Sequence, residues 1–225
     1  MDAIFNRTLS GSYVNTDLSV VPSGTFCAYN NLTSITFARA SQIGNYAFYG
    51  CENLKYASFP QCSSIGAAAF SDCYSLVSAY FNNCSIIGDN AFAWCALKTL
   101  SFPAAREVGY YAFAGNPMSS VSMWQVYSIH SMAFAYCYSL TSASFQWCKS
   151  IGSSAFLRCS KLSVLRLMSS SICALRNSNA FSSTPFAGYS TYFSGTPSIY
   201  VPSSLLASYK TATNWSYYSK YFVGA

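Results

Sequence analysis

Apolar positions in this chain recur with a period of about 22 residues. Phenylalanine stands at Phe26, Phe48, Phe70, Phe92, Phe113, Phe134, Phe156 and Phe181, at spacings of 22, 22, 22, 21, 21, 22 and 25. From Phe48 onward each is preceded by alanine (Ala47, Ala69, Ala91, Ala112, Ala133, Ala155, Ala180). An Ile/Val-Gly pair lies upstream of most of them: Ile43-Gly44, Ile65-Gly66, Ile87-Gly88, Val108-Gly109 and Ile151-Gly152, with Ile129-His130 as the exception. Three residues downstream there is usually a cysteine (Cys51, Cys73, Cys95, Cys137, Cys159), with Asn116 in that place once. A leucine or methionine then opens the next unit: Leu32, Leu54, Leu76, Leu97, Met118, Leu140, Leu162. Self-similarity at a period of roughly 20–29 residues is the mark of a solenoid.

Written from its leucine, one unit reads L-x-x-A-x-F-x-x-C-x-x-I-G-x-x-A-F-x-x-C-x-x, clearest in Leu54 to Ser75. Ala57 and Phe59 alternate with polar neighbours and predict a short strand. The second half is apolar at Ile65, Ala69, Phe70, Cys73 and Leu76. That spacing predicts a turn or two of helix packed behind the strand layer, with Gly66 giving the backbone room to fold tightly before it. No unit buries its apolar edge alone, so neighbours stack and share one core.

The first half fits the leucine-rich repeat pattern, with Leu54, Ala57, Phe59 and Cys62 in the fixed places. The second half, I-G-x-x-A-F-x-x-C followed by leucine, with Phe59-Pro60 and Phe102-Pro103 at strand ends, resembles the BspA-like subfamily over about residues 26–181. The expected fold is an α/β leucine-rich-repeat solenoid of about seven to eight units of 21–22 residues, with a parallel sheet on the concave face and short helices on the convex face. The resemblance implies a bacterial surface-exposed adhesion or interaction protein, or a module of a phage tail protein, with a ligand that differs from member to member. Residues 1–25 are expected to form an N-terminal cap over the first strand's open edge, and residues 26–181 the array. Residues 182–225 are expected to supply a degenerate last repeat, a terminal strand near Ile199 and a helical cap. In that cap Leu205, Leu206 and Tyr209 share one face, Trp215, Tyr218 and Phe222 another, and Asn214 is a candidate N-cap.

Composition changes what the surface is made of. Only 8% of the 225 residues are charged, against roughly 25% in an average soluble domain. Disorder is excluded by 52% hydrophobic residues with 18% aromatics. The net charge of +6 is spread along the chain without a basic run, so no nucleic-acid footprint is present. No stretch of ~18–20 residues is free of polar side chains, so no membrane insertion is expected.

Ten cysteines raise the question of a disulfide framework. Cys51, Cys73, Cys95, Cys137 and Cys159 share one phase of the repeat, and Cys62, Cys84 and Cys148 a second, where other units place Ala40, Ala105 and Val126. The expectation is free, buried thiols used as small packing residues. Stacked units lie close enough for a bridge, but the parallel Cβ vectors of an in-register ladder oppose one. A zinc site needs paired short spacings of ligands, and the chain has no C-x-x-C and a single histidine, His130, so no metal and no cofactor are expected. His130 stands in a glycine position with no Asp or Glu within twenty residues, and Asp72, Asp89, Glu52 and Glu107 fall in different phases of their units. Neither a triad nor a facing carboxylate pair follows from such a pattern, so no enzymatic activity is expected.

The outward positions of the strands form a field of serine and threonine, from Thr33, Ser34 and Thr36 through Ser119, Ser120 and Ser122 to Thr141, Ser142 and Ser144. From it rise Lys55, Tyr56, Tyr80 and Lys98, with Trp124 and Trp147 just past the strands. These six are the candidate binding residues, because rigid rings among small hydroxyl side chains offer contact area at low entropic cost. Phe48, Phe70, Phe92, Phe113, Phe134 and Phe156, with the five cysteines of the first phase, are the structural core. The expected function is a binding or adhesion module for a protein or glycan partner, on a host cell or within a larger assembly. The alternative is a passive spacer or decoration module of a virion or cell-surface assembly. Residues Met1 to Arg7 show no signal-peptide layout, while the resemblance implies an extracellular working site, on a cell surface or a virion.

Overall fold

The computed structural model describes residues 9–188 and 195–225. The first eight residues of the expected N-terminal cap, and part of the Ser- and Tyr-rich stretch of the degenerate repeat, lie outside the described residues. Each coil of the chain contributes a strand to each of two parallel ladders. The first ladder holds the strands that follow the leucines. Its N-terminal part runs β1 (Gly11–Asn15), β3 (Leu32–Phe37), β5 (Tyr56–Ser58) and β7 (Ser78–Tyr80). Its C-terminal part runs β10 (Ser120–Met123), β12 (Ser142–Phe145), β14 (Val164–Leu167), β16 (Ser198–Val201) and β17 (Phe222–Gly224). Between the two parts the coil opened by Leu97 makes only an isolated bridge, Tyr80 to Ser101. The second ladder is continuous and eight-stranded: β2 (Val20–Val21), β4 (Gln42–Ile43), β6 (Ser64–Ile65), β8 (Ile86–Ile87), β9 (Glu107–Val108), β11 (Ser128–Ile129), β13 (Ser150–Ile151) and β15 (Ala174–Leu175). β1 covers the edge of β3 and β2 that of β4, so residues 11–21 pair as a further coil does.

The core between the ladders is a herringbone of rings. Phe26, Phe48, Phe70, Phe92, Phe113, Phe134, Phe156 and Phe181 form one column with centroids 5.0–5.6 Å apart and planes within 2–12°. Phe37, Phe59, Phe81 and Phe102 form a second column at 5.1–5.3 Å. Rings of the two columns meet edge to face at 5.4–5.9 Å. Both are favoured arrangements of the ring quadrupole, worth about 0.5–1.5 kcal/mol per pair beyond burial.

The convex-side helices expected from the spacing are replaced by turns. In the coils between residues 24 and 158 the residues two before and two after the column phenylalanine take left-handed backbone conformations, as at Tyr46 and Gly50, Ala68 and Asp72, and Asn90 and Trp94. Left-handed residues four apart interrupt any α-helix. The N–H groups there reach the next coil instead: Ala68 donates to Asp89 O at 2.8 Å, Phe70 to Ala91 O at 2.8 Å and Asp72 to Ala93 O at 2.9 Å. This side of the solenoid is therefore a third hydrogen-bonded surface between coils, and the apolar 4-1-3 spacing records two consecutive turns. Regular helix among the described residues is confined to the C-terminal region, in short 3₁₀ segments (Ser178–Phe181, Pro185–Ala187, Ser203–Leu205, Trp215–Tyr221) and α1 (Leu206–Thr211).

The repeat glycines also act differently from expectation. None of Gly44, Gly66, Gly88, Gly109 and Gly152 has a positive φ; a Cβ on each would approach atoms of the preceding coil to 2.4–2.7 Å. They permit close stacking of coils rather than a tight turn. His130 keeps the shared inter-coil bond, donating from its backbone N–H to Val108 O at 2.9 Å, and lays its ring edge-on to Tyr110 at 4.9 Å.

All ten cysteines are free thiols, and every one but Cys27 is buried. Those of the first phase tie each coil to the one before. The Sγ of Cys51, Cys73, Cys95, Cys137 and Cys159 donates to the carbonyl of Phe26, Phe48, Phe70, Phe113 and Phe134 in the preceding coil, at 3.0–3.3 Å. Asn116 does this with its amide, donating to Phe92 O at 2.7 Å. In the second phase Cys62, Cys84 and Cys148 point back to their own coil's Ser64, Ile86 and Ser150 carbonyls. Burial pushes Cys62 up to about 11 and raises Cys51, Cys73, Cys84 and Cys159 further. Thiolates are scarce at such sites. In the native protein at mildly alkaline pH an aromatic disulfide reagent is expected to modify Cys27 alone, and unfolding without reductant to release all ten. More than one fast-reacting thiol, or fewer than ten after unfolding, overturns this assignment.

The C-terminal segment closes the last coil. Tyr209, Trp215, Tyr218 and Phe222 are buried against it. Trp215 Nε1 donates to Cys173 O at 2.6 Å, and Tyr209 Oη accepts from Cys173 N at 2.8 Å. Asn214 occupies the N-cap position of the 3₁₀ segment Trp215–Tyr221, as expected, but its side chain makes no capping bond. Its backbone is left-handed, and its Nδ2 donates to Leu175 O at 2.7 Å, fastening the lid to β15.

Candidate functional site

Where the first ladder hands the chain to the second, each coil crosses a short edge. The last residue of this crossing, just before the second-ladder strand, is Ser41, Ser63 and Ser85 in three successive coils, then Arg106, Tyr127 and Lys149 in the next three. Backbone bonds at 2.8–3.0 Å link the six residues in sequence, Ser63 N to Ser41 O through Lys149 N to Tyr127 O, so their side chains form one column. The serine hydroxyls bond back onto the preceding coil, as Ser63 Oγ does to Ser41 O at 3.0 Å. Arg106, Tyr127 and Lys149 reach outward instead, and all three are exposed.

Trp124 and Trp147 stand on the same edge, immediately after β10 and two residues after β12. They are 69% and 66% exposed, the most exposed large hydrophobic side chains among the described residues. With Gln125 and the column of Arg106, Tyr127 and Lys149 they line an open groove of about 820 Å³. Tyr127 Oη donates to Glu107 Oε1. That bond, with the nearby carboxylate charge, raises the Tyr127 pKa and keeps it a phenol. The groove therefore offers two indole faces, two cations, one carboxamide and one phenol whose proton is engaged.

The other candidates from the sequence lie elsewhere on the strand face. Tyr56 stands opposite Ser78 and Tyr80 opposite Ser58, so the two rings are exposed on adjacent strands but offset by two residues. Asn82 Nδ2 donates to the Tyr80 hydroxyl. Lys55 and Lys98 are exposed, and neither lines the Trp groove. Of the six candidates, only Trp124 and Trp147 converge. Arg106, Tyr127 and Lys149 lie outside the strand positions that suggest binding residues in the sequence; the switch from three serines to Arg, Tyr and Lys in one phase is the signal that finds them.

Two further features lie apart from the groove. On the turn side Trp94 lies over Gly115, where a Cβ would come within 2.2 Å of the indole, and its ring meets Tyr136 at 5.8 Å. The Arg158 guanidinium is also 5.8 Å from the Tyr136 centroid. These rings largely satisfy one another. A smaller polar pocket of about 310 Å³ is lined by His130, Ser128, Ser150 and Arg176. Among the described residues no three His, Cys, Asp or Glu side chains gather to hold a metal ion, and no helix is long and apolar enough to cross a membrane.

Comparison with known proteins agrees with the architecture. The family model for the BspA type leucine rich repeat region (6 copies) matches residues 3–120 and again 63–186. No curated protein matches the chain in sequence. Among solved structures the chain is similar to a leucine-rich repeat protein from Bacteroides ovatus (18% identity, TM-score 0.52, covering 85% of this chain and 50% of that one). It is similar also to the T. pallidum leucine rich repeat protein (21% identity, TM-score 0.50, covering 70% of this chain and 73% of that one). A leucine rich cell surface protein from Faecalibacterium prausnitzii is 17% identical with a TM-score of 0.46, over 75% of this chain and 65% of that one. The chain thus spans less than two thirds of the Faecalibacterium and Bacteroides proteins, and at 18% and 21% identity the likeness to the Bacteroides and T. pallidum proteins is one of fold. The family match extends over most of the coils described above, and the chain belongs to the BspA-type leucine-rich repeat family.

Proposed function

We propose that this protein is a non-enzymatic recognition module, working at a surface outside the cell, that engages a glycan or protein partner through the groove between Trp124 and Trp147. The observation that carries this is the exposure of both indoles on one edge of an otherwise hydroxyl-rich surface. Burying such a ring stabilises a protein by about 3 kcal/mol at ~25 cal/mol/Å². Here two are held in water on adjacent coils, lining the same groove. A passive spacer needs only the serine and threonine field and gains nothing from them. Aromatic anchors beside a few polar groups are the usual composition of binding hot spots.

The test is binding of wild type and a Trp124→Ala/Trp147→Ala variant to a glycan array and to cultured epithelial cells, before and after enzymatic deglycosylation. Both side chains are exposed, so the variant should melt within about 2 °C of wild type. Loss of binding by at least tenfold in the variant is the expected result. Equal binding by both proteins, or no binding by the wild type to any of these surfaces, overturns the proposal and leaves the spacer reading.

A further inference from the structure

Resting on that reading, the geometry points to a carboxylated saccharide as the ligand of the Trp124–Trp147 groove. The charge is the first reason. In a chain with 8% charged residues, Arg106 and Lys149 stand in one column, two coils and so about 10 Å apart, on either side of Tyr127. Glu107, the acid beside them, is engaged with the Tyr127 hydroxyl. Two cations thus face the open groove, and a guanidinium pairs with a planar carboxylate through two parallel hydrogen bonds.

The second reason separates a sugar from an acidic peptide. One recurring way to hold an extended peptide is by main-chain bonds to an unpaired strand edge. Here the backbone N–H groups of Arg106, Tyr127 and Lys149 already donate to Ser85, Arg106 and Tyr127 carbonyls at 2.8–3.0 Å. What the groove offers is side chain only: indole faces suited to the C–H face of a pyranose ring, Gln125 as donor and acceptor for ring hydroxyls, and cations for the acid. The spacing of the two cations matches the span of about two sugar rings, so acid groups on alternate residues of a uronate-containing chain fit along the column.

Calorimetry on a panel of paired ligands tests this: oligogalacturonate and its methyl ester, hyaluronate oligomers and their carboxyl-reduced form, sialyllactose and lactose, and a glutamate-rich peptide. The wild type is expected to bind at least one carboxylated saccharide about ten times more tightly than its neutral partner. That difference should vanish in Arg106→Gln/Lys149→Gln, and in about 0.5 M salt, where the screening length falls to about 4 Å. Trp124→Ala/Trp147→Ala should lose both members of the pair. Equal affinity for charged and neutral partners overturns the charge assignment while the groove stands. Preference for the glutamate-rich peptide, or Trp-dependent binding to deglycosylated cells without any saccharide binding, overturns the sugar assignment alone. Failure of every ligand together with Trp-independent cell binding overturns the recognition reading itself.

Discussion

Asn116→Ala is expected to lower stability by about 4 kcal/mol, seen as a fall of roughly 10 °C in the melting temperature. The side chain is buried and makes bonds in three directions. Its Nδ2 donates to Phe92 O at 2.7 Å and Phe113 O at 3.0 Å, and its Oδ1 accepts from Leu97 N at 3.0 Å. Alanine leaves Phe92 O and the Leu97 N–H buried without partners, at about 1–3 kcal/mol each, while Phe113 O keeps the Cys137 thiol. Sequence shows why an amide replaces the thiol here. In the 22-residue coils the leucine lies three residues after the cysteine and its N–H donates to the cysteine carbonyl, as Leu54 does to Cys51 O at 3.0 Å. Leu97 follows Cys95 by only two residues. That shortened turn frees the Leu97 N–H, and the Asn116 carbonyl oxygen of the next coil receives it. Asn116→Cys should therefore recover part of the loss, through a thiol bond to Phe92 O, and not all of it. Equal melting of the alanine variant and wild type would refute this account.

Gly88→Ala is expected to cost about 3 kcal/mol, near the upper end for overpacking. The new Cβ would lie 2.7 Å from Ile65 O, 2.8 Å from Gly66 C and 3.0 Å from Ala67 N, all of them backbone atoms that cannot turn aside. Gly50→Ala is the control. Gly50 has φ +65° and nothing within 4 Å of its Cβ position, so alanine there meets only the left-handed penalty of about 1 kcal/mol. Tyr46, Asp72 and Trp94 show that side chains occupy such turn positions in this array. Thermal melts of the two variants separate close stacking from backbone conformation. If Gly88→Ala melts no lower than Gly50→Ala, the glycines do not set the spacing of the coils.

The repeat is legible because its buried positions are chemically uniform: a phenylalanine that stacks on its own copy must recur at every coil. The leucines and Ala-Phe pairs locate the core for the same reason. The convex side misleads because an apolar 4-1-3 spacing suits both a helical turn and two consecutive β-turns. What decides between them is the left-handed backbone at residues as unlike as Tyr46, Ala68 and Met132, a conformation imposed by bonds to the next coil and invisible in residue type. The second ladder recurs in the pattern only as the Ile/Val-Gly pairs and is not legible as strand, because a strand of two residues, such as Ser64–Ile65, has no alternation to detect. Trp124 and Trp147 are identifiable as rings without a core position. Their cationic neighbours belong to a crossing whose earlier copies are serine, and only a column-by-column comparison sets Arg106 and Lys149 apart.

The break in the first ladder gives the array an internal joint. In a repeat protein, cohesion is the sum of what each coil makes and what adjoining coils share. At the coil opened by Leu97 the shared part falls to one bridge on the strand face, while the second ladder runs on unbroken. Strand-face pairing is thinnest at that joint, and Arg106 stands on the jointed coil while Trp124, Tyr127, Trp147 and Lys149 stand on the two beyond it. A ligand spanning the groove would act as a splint across those coils. Were a ligand bound, occupancy of the groove would be linked to how firmly the two blocks are held together.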